Sequence, residues 1–363
     1  MKHEPRTRAG VPARPPAPVP ALRDKHGRTI SYLRISLTDR CNMRCLYCLP
    51  EEGVALKSHR DILTLEEVLR VARVAVSLGV TGIRLTGGEP LVRKGLVDLV
   101  VGLSALKGLE DLAITTNGTL LAPLAAPLKA AGLGRINISL DTLRPERFPR
   151  LARRHLFTEA ADGIKAALAV GFDPVKLNVV LVRGLNDDEV LDFARLTRRP
   201  FAPGLGAVHV RFIELMPLGE SAHQAADLRV TGQEVREWLL AAGELIPAGG
   251  PVGNGPAEYY RWVPLINEGE VLPIGGAGTI GFINPISRHF CSRCNRLRLT
   301  ADGKINPCLA STLEIDLRTA LRSGAEEDEL AEILRTAVGR KPEEHNMGAG
   351  EDDELRRMSR LGG

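Results

Sequence analysis

Apolar residues recur along this chain in two alternating rhythms. Thr64-Leu65-Glu66-Glu67 has the form of a capping box, and Leu65, Val68, Ala72, Ala75 and Val76 follow at helical spacing up to Gly79. Short apolar runs predict strands over 31–37, 81–86, 112–116, 135–140, 175–182 and 208–215. Helices are predicted after them: the one opened by Thr64, one through Leu96, Leu99, Val100 and Leu103, and two over about 120–131 and 158–170. Two more open at Asn186 with Glu189 and at Thr231 with Glu234. Six β-then-α units imply a parallel sheet with helical crossovers. Six are too few for the usual closed eight-fold barrel. The expected fold is therefore α/β, a partial, open, six-unit βα barrel, with a doubly wound sheet left open by the periodicity.

In either fold, ligands bind at the carboxyl ends of the strands. Polar and glycine-rich segments fall there: 41–48, Thr86-Gly87-Gly88-Glu89-Pro90, Thr115-Thr116-Asn117-Gly118, Ser139-Leu140-Asp141 and Glu214-Leu215-Met216-Pro217. Past the sixth helix the rhythm breaks into a Gly/Pro-rich loop at 249–255 and an apolar, glycine-rich stretch at 271–280. The expected division is a disordered Pro-rich arm at 1–20, a βα core at 21–245, a smaller irregular C-terminal module at 246–340 and a tail at 341–363. The arm has six prolines and no apolar h-region, so it does not read as a secretory signal.

Composition narrows the partners. A net charge of +4 over 363 residues, with arginines near the strand ends, suits a small anionic ligand better than a nucleic acid. No apolar run is long enough to span a bilayer, so no membrane partner is expected. All six cysteines fall in two distant triplets, which argues against a disulfide framework and for a reducing cytoplasm.

The first triplet, Cys41-x3-Cys45-x2-Cys48, concentrates three soft ligands in one loop; the second is Cys291-x2-Cys294-x13-Cys308. An iron–sulfur cluster suits three thiolates, the alternatives being a zinc site with a borrowed ligand or unrelated buried cysteines. Arg34, Arg84 and Lys176 are cations inside otherwise apolar strands, and buried cations need anionic partners unless their heads reach solvent. Arg296 and Arg298 point the same way at i and i+2, beside a cysteine. Arginine forks suit phosphate oxygens. Asn117 and Asp141 read either as supporting groups or as turn residues.

The first triplet, with Tyr47 before its last cysteine and Gly87-Gly88-Glu89-Pro90 one strand later, resembles the radical S-adenosylmethionine superfamily. The second triplet, run straight into Asn295-Arg296-Leu297-Arg298-Leu299, resembles the GTP 3′,8-cyclase family of molybdenum cofactor biosynthesis, from about Leu33 to Gly363. The resemblance implies two [4Fe–4S] clusters, each with one iron free of protein ligands. The first, on Cys41, Cys45 and Cys48, would bind and cleave S-adenosylmethionine. The second, on Cys291, Cys294 and Cys308, would hold the guanine of GTP. It also implies that the resulting radical takes hydrogen from C3′ of GTP, which then closes onto C8 to give 3′,8-cyclo-7,8-dihydroguanosine triphosphate.

By position, Tyr47, Gly88, Ser139 and Met216 match cofactor contacts, and Arg34, Arg84, Thr115, Lys176, Arg296, Leu297 and Arg298 match substrate contacts. Gly362 and Gly363 match a family tail that enters the active site. An external flavodoxin-like or ferredoxin-like electron donor is implied, with room for hand-over to a cyclic pyranopterin monophosphate synthase and for a homodimer. Two features depart from the family pattern: the proline-rich arm has no counterpart, and the loop 199–206 is longer than its connection needs. The competing readings are a peptide-modifying radical S-adenosylmethionine enzyme with an auxiliary cluster and a non-enzymatic metal-binding protein.

Overall fold

The computed structural model describes residues 21–219, 222–265 and 278–347. The arm at 1–20, most of the apolar stretch at 271–280, and Gly362 and Gly363 lie outside them. Six strands alternate with helices: β1 (Tyr32–Ser36), β2 (Gly82–Thr86), β3 (Asp111–Thr116), β4 (Arg135–Ser139), β5 (Val175–Leu181) and β6 (His209–Glu214). Between and after them run α1 (Leu65–Ser77), α2 (Leu96–Ser104), α3 (Ala125–Ala130), α4 (Phe148–Ala152), α5 (Phe157–Ala169), α6 (Val190–Leu196), α7 (Ala225–Leu228) and α8 (Gly232–Ala242). Neighbours in sequence are parallel neighbours in the sheet, β1 through β6. A doubly wound sheet would reverse that order part-way, so the partial barrel is the architecture.

The sheet is strongly curved. Arg135 on β4 lies close enough to Tyr32 on β1 for the two side chains to interact electrostatically, although three strand spacings in a flat sheet would separate them by roughly 14 Å. Arg211 on β6 likewise reaches Asn137 on β4 at 2.7 Å. The outer face is aliphatic, with Leu33, Ile35, Ile83, Leu85, Ile138 and Val179 sealed under the helices. The concave face carries Arg34, Arg84, Thr115, Asn137, Asn178 and Arg211 instead. A parallel sheet normally buries apolar residues on both faces, so a polar interior marks a built site.

The C-terminal part adds β7 (Gly243–Pro247), β8 (Glu258–Pro264), β9 (Ile280–Ile283), β10 (Arg296–Leu299), β11 (Lys304–Asn306) and β12 (Ile315–Asp316), then α9 (Arg318–Arg322) and α10 (Glu327–Gly339). It extends both edges of the sheet: β9 pairs parallel with β6, and β10 parallel with β1. Residues predicted to lie in a separate stretch of sequence thus flank the cavity from both sides.

Capping boxes form at Thr64/Glu67 and Thr231/Glu234. The pair Asn186/Glu189 caps no helix. Instead, the Glu189 carboxylate accepts from Thr142 Oγ1, Leu143 N and Arg147, while Asn186 accepts from Val182 N and donates to the carbonyl of Asp141. Their side chains brace the loop after β4, and tertiary bonds win over the local cap. The helix predicted over 120–131 is only α3, because Pro123 and Pro127 interrupt its first turns. The short α4 carried no periodic signal; it supports the first cysteine loop, whose Arg44 and Leu46 N–H groups donate to Ala152 and Leu151 carbonyls at 3.1 and 2.9 Å.

Candidate active site

β1 delivers the chain into the first cysteine loop, and β2 delivers Gly87-Gly88-Glu89-Pro90 beside it. The two loops meet backbone to backbone: Gly88 N–H donates to Thr38 O at 2.7 Å and Glu89 N–H to Arg40 O at 2.8 Å. A Cβ on Gly88 would sit 2.3 Å from the Arg40 oxygen, and Gly87 has φ +148°. These glycines are demanded by the approach of the two loops.

Glu89 is buried and accepts from Thr116 Oγ1 at 2.6 Å, Asn117 N at 2.7 Å and Leu91 N at 3.0 Å. Burial pushes its carboxyl up to about 7 despite those three donors. Asn117 in turn donates to Asn42 in the cysteine loop at 2.8 Å. On the far side, Tyr47 donates to Asp141 at 2.7 Å, and Asp141 accepts Val180 N at 2.8 Å. Burial raises Asp141 to about 6 and moves the Tyr47 hydroxyl well above its ordinary value. Asn117 and Asp141 are therefore braces of the loop as well as residues of strand-end turns.

Cys41, Cys45 and Cys48 are half-buried free thiols on one cavity wall. Burial raises Cys41 to about 11 and Cys45 well above a free thiol, with Asp141, Cys48 and Cys41 adding to the shift at Cys45. Mutually repelling thiolates in a buried site are what the positive charge of an iron–sulfur cluster offsets, so the donor set fits one. Among the described residues no three His, Cys, Asp or Glu side chains close on a single ion; a cubane spaces its cysteines out on separate irons.

The second triplet comprises Cys291, which opens a 3₁₀ turn, and Cys294 at its end, with Cys308 joining after β11. Burial raises Cys291, and Cys308 and Cys294 add to it, so the three sulfurs are close enough to feel one another. Cys294 shifts the opposite way: burial would raise it, but Lys341 and Arg296 outweigh that and bring it below the free-thiol value.

Between the triplets opens a cavity of ≈ 1400 Å³, counting its open mouth. Tyr47, Gly88, Ser139 and Met216 line it along with the first triplet, and Arg34, Arg84, Thr115, Arg296 and Arg298 line it too. Phe290 and Leu309, which flank cysteines of the second triplet, form part of the wall. Five arginines (Arg34, Arg84, Arg211, Arg296 and Arg298) face it against two carboxylates, Glu89 and Asp141. Burial lowers Arg34 well below its ordinary value, and Arg298, Arg84 and Arg296 lower it further. Burial also brings Arg211 and Arg298 to about 10. Thr115 Oγ1 is buried with no hydrogen-bond partner among the described residues.

Two predicted contacts sit elsewhere. Leu297 turns its side chain to the opposite face of β10 and into the core, as the two-residue period of a strand requires. Lys176 lies under the loop 249–255, donating to Val252 O at 2.7 Å and Pro251 O at 3.3 Å, and is not part of the cavity wall. Burial lowers it to about 6, with Arg211, Arg135 and Arg84 adding. Arg211 was missed, though its signal was present: it is a cation in the apolar run Val208-His209-Val210-Arg211-Phe212-Ile213, like Lys176 in its own strand.

A cysteine-triplet loop at the carboxyl mouth of a partial βα barrel defines the radical S-adenosylmethionine class, and the model of the Radical SAM superfamily matches residues 35–197. The model described as Molybdenum Cofactor Synthesis C matches 208–347. Streptococcus suis SuiB bound to S-adenosylmethionine shares the fold at 15% identity, with a TM-score of 0.53 over 85% of this chain and 68% of that one. The GTP 3′,8-cyclase of Moorella thermoacetica is 52% identical over 94% of this chain and 100% of its own length. That of Heliobacterium modesticaldum is 50% identical over 94% of this chain and 99% of its own. The chain belongs to the GTP 3′,8-cyclase family.

Proposed function

We propose that the enzyme binds S-adenosylmethionine at the first cysteine triplet and GTP over the arginine-lined floor. It cyclises that GTP to 3′,8-cyclo-7,8-dihydroguanosine triphosphate, the first step of molybdenum cofactor biosynthesis. The observation that carries the substrate is the excess of five cavity-lining arginines, three of them buried, over two carboxylates, beside the orphan hydroxyl of Thr115. A triphosphate supplies the negative charge that such a floor lacks.

Cys41, Cys45 and Cys48 would hold one [4Fe–4S] cluster, and Cys291, Cys294 and Cys308 a second. When bound, the first supplies the electron that splits S-adenosylmethionine to a 5′-deoxyadenosyl radical. The chain's own work is positional. Tyr47, Gly88, Ser139 and Met216 surround the cofactor, and Arg34, Arg84, Arg211, Arg296 and Arg298 fix the triphosphate and sugar so that one C–H meets the radical. Lys176 joins them if the loop 249–255 lifts, and Leu297 contributes through its backbone. Gly362 and Gly363 belong to the same proposal, as a tail that enters the site.

The remaining parts of the proposal are an external flavodoxin-like or ferredoxin-like electron donor, hand-over to a cyclic pyranopterin monophosphate synthase, a homodimer, and a cytoplasmic setting. The setting is consistent with the described helices, none of which is long and apolar enough to cross a membrane. Domain limits of 21–245 and 246–340 belong here too. Anaerobic reconstitution tests the whole reading. About eight irons per chain, as two cubanes require, and 5′-deoxyadenosine formed only with GTP present are the expected results. Bound zinc, or cleavage equally fast without GTP, would overturn it.

A further inference from the structure

Lys341 lies just past the Arg340 cap of α10 and is 2% exposed. Two of its three ammonium protons are accounted for by the carbonyls of Arg296 at 2.9 Å and Pro307 at 2.7 Å. Those carbonyls lie two residues past Cys294 and one before Cys308, so the ammonium sits beside the second cysteine triplet. Among the described residues no carboxylate pairs with it. A buried ammonium with only neutral carbonyls around it is costly to maintain, so its counter-charge must come from the sulfur side.

The chain around Lys341 is held to this task. The His345 ring bonds Pro285 O at 2.7 Å. Arg28, itself fixed by Asp24 at 2.6 Å, donates to the carbonyls of Pro342, Glu343 and Cys291. One guanidinium thus ties the segment 341–345 to the second cysteine loop, and the Lys341 ammonium ties the same segment to the backbone beside Cys294 and Cys308.

We infer that Lys341 is a positioning residue of the second cluster: its ammonium, held on the backbone carbonyls beside Cys294 and Cys308, sets that cluster's charge balance and raises its reduction potential. Hydrogen bonds and positive charge at cluster sulfurs stabilise the reduced state. This rests on the second triplet holding a cluster, so iron content and the cluster spectrum are read first. A native enzyme with only one cluster would sink the functional reading itself.

The experiment is a potentiometric titration followed by electron paramagnetic resonance on reconstituted native enzyme, Lys341→Met and Lys341→Arg. Lys341→Met should shift the second cluster to a more negative potential while the first stays in place, and Lys341→Arg should restore most of the shift. Unchanged potentials in Lys341→Met would overturn the inference. If Lys341→Met fails to assemble the second cluster, native enzyme labelled with ¹⁵N-lysine decides. A ¹⁵N hyperfine coupling to the reduced second cluster, absent from Lys341→Arg, supports the assignment; no coupling in the native enzyme overturns it.

Discussion

The two cysteine triplets have the same donors and opposite surroundings. The first is framed by buried carboxylates, Glu89 and Asp141, whose oxygens are filled by backbone and hydroxyl donors. The second is framed by cations, with Lys341 and Arg296 acting on Cys294 and Arg28 on the carbonyl of Cys291. Cys45 is accordingly pushed up and Cys294 drawn down. Equal ligands therefore do not make equal sites. A cluster that must give an electron gains from negative neighbours, which favour its oxidised form, and one that must hold an anionic substrate gains from positive ones.

The largest effect separates the triplets outright. Cys45→Ala should remove all S-adenosylmethionine cleavage together with the first cluster. Cys294→Ala should keep the first cluster, and its signal on adding S-adenosylmethionine, yet abolish cyclisation. Iron analysis, spectra and product assay on both variants check this; loss of both clusters in either one would mean the sites are not independent. Next in size is Arg298→Leu, on the cationic side. Losing one charge-assisted contact costs about 1.5–3 kcal/mol, so KM for GTP should rise roughly ten- to a hundred-fold at an unchanged KM for S-adenosylmethionine. A rise in the cofactor's KM instead would reverse the assignment of the two ends.

The carboxylate side should declare itself through pH. Glu89 rises from 4.5 to about 7 and Asp141 from 3.8 to about 6, both mainly through burial. Between those values the folded chain binds more protons than the unfolded one, so stability falls as pH rises. The stabilisation is complete below the unfolded values, near pH 4, and gone above about pH 7. For Glu89 alone the change is roughly 3 kcal/mol. Glu89→Gln loses one acceptor, since its amide must face a donor, but its urea-unfolding free energy should vary less with pH in the cluster-free protein. A slope identical to that of the native chain would mean that Glu89 does not titrate there.

Much of this was legible because it is local. The capping boxes, the strand-end glycines and the strand cations each follow from a few adjacent residues. Asn186 with Glu189 shows the limit: the same local pattern is present, but Thr142, Leu143 and Arg147 make better use of the carboxylate. Lys341 marks the other limit, since its partners at 296 and 307 depend on how β10 and β11 are placed. That β9 and β10 close onto opposite edges of the first six strands is likewise a matter of non-local register. Leu297, between two cavity arginines in sequence, turns its side chain into the core, as the two-residue period of β10 requires.

The smallest effect probes how each loop is held. The first is shaped by backbone against backbone, with Gly88 so near Arg40 that a methyl group cannot fit without movement. Gly88→Ala should therefore cost about 1–3 kcal/mol, the range for inserting a methylene where there is no room. The displaced partner is the cysteine loop itself, so the first cluster should also assemble in lower yield while the second fills normally. The second loop depends on donated protons from Arg28 and Lys341 and is indifferent to this methyl. Thermal unfolding and iron content of Gly88→Ala together separate the two. Normal occupancy of both clusters with a lowered melting temperature would show that the contact serves stability alone, and that the first loop keeps its shape by its side-chain braces, Glu89 and Asp141, as the second does by its cations.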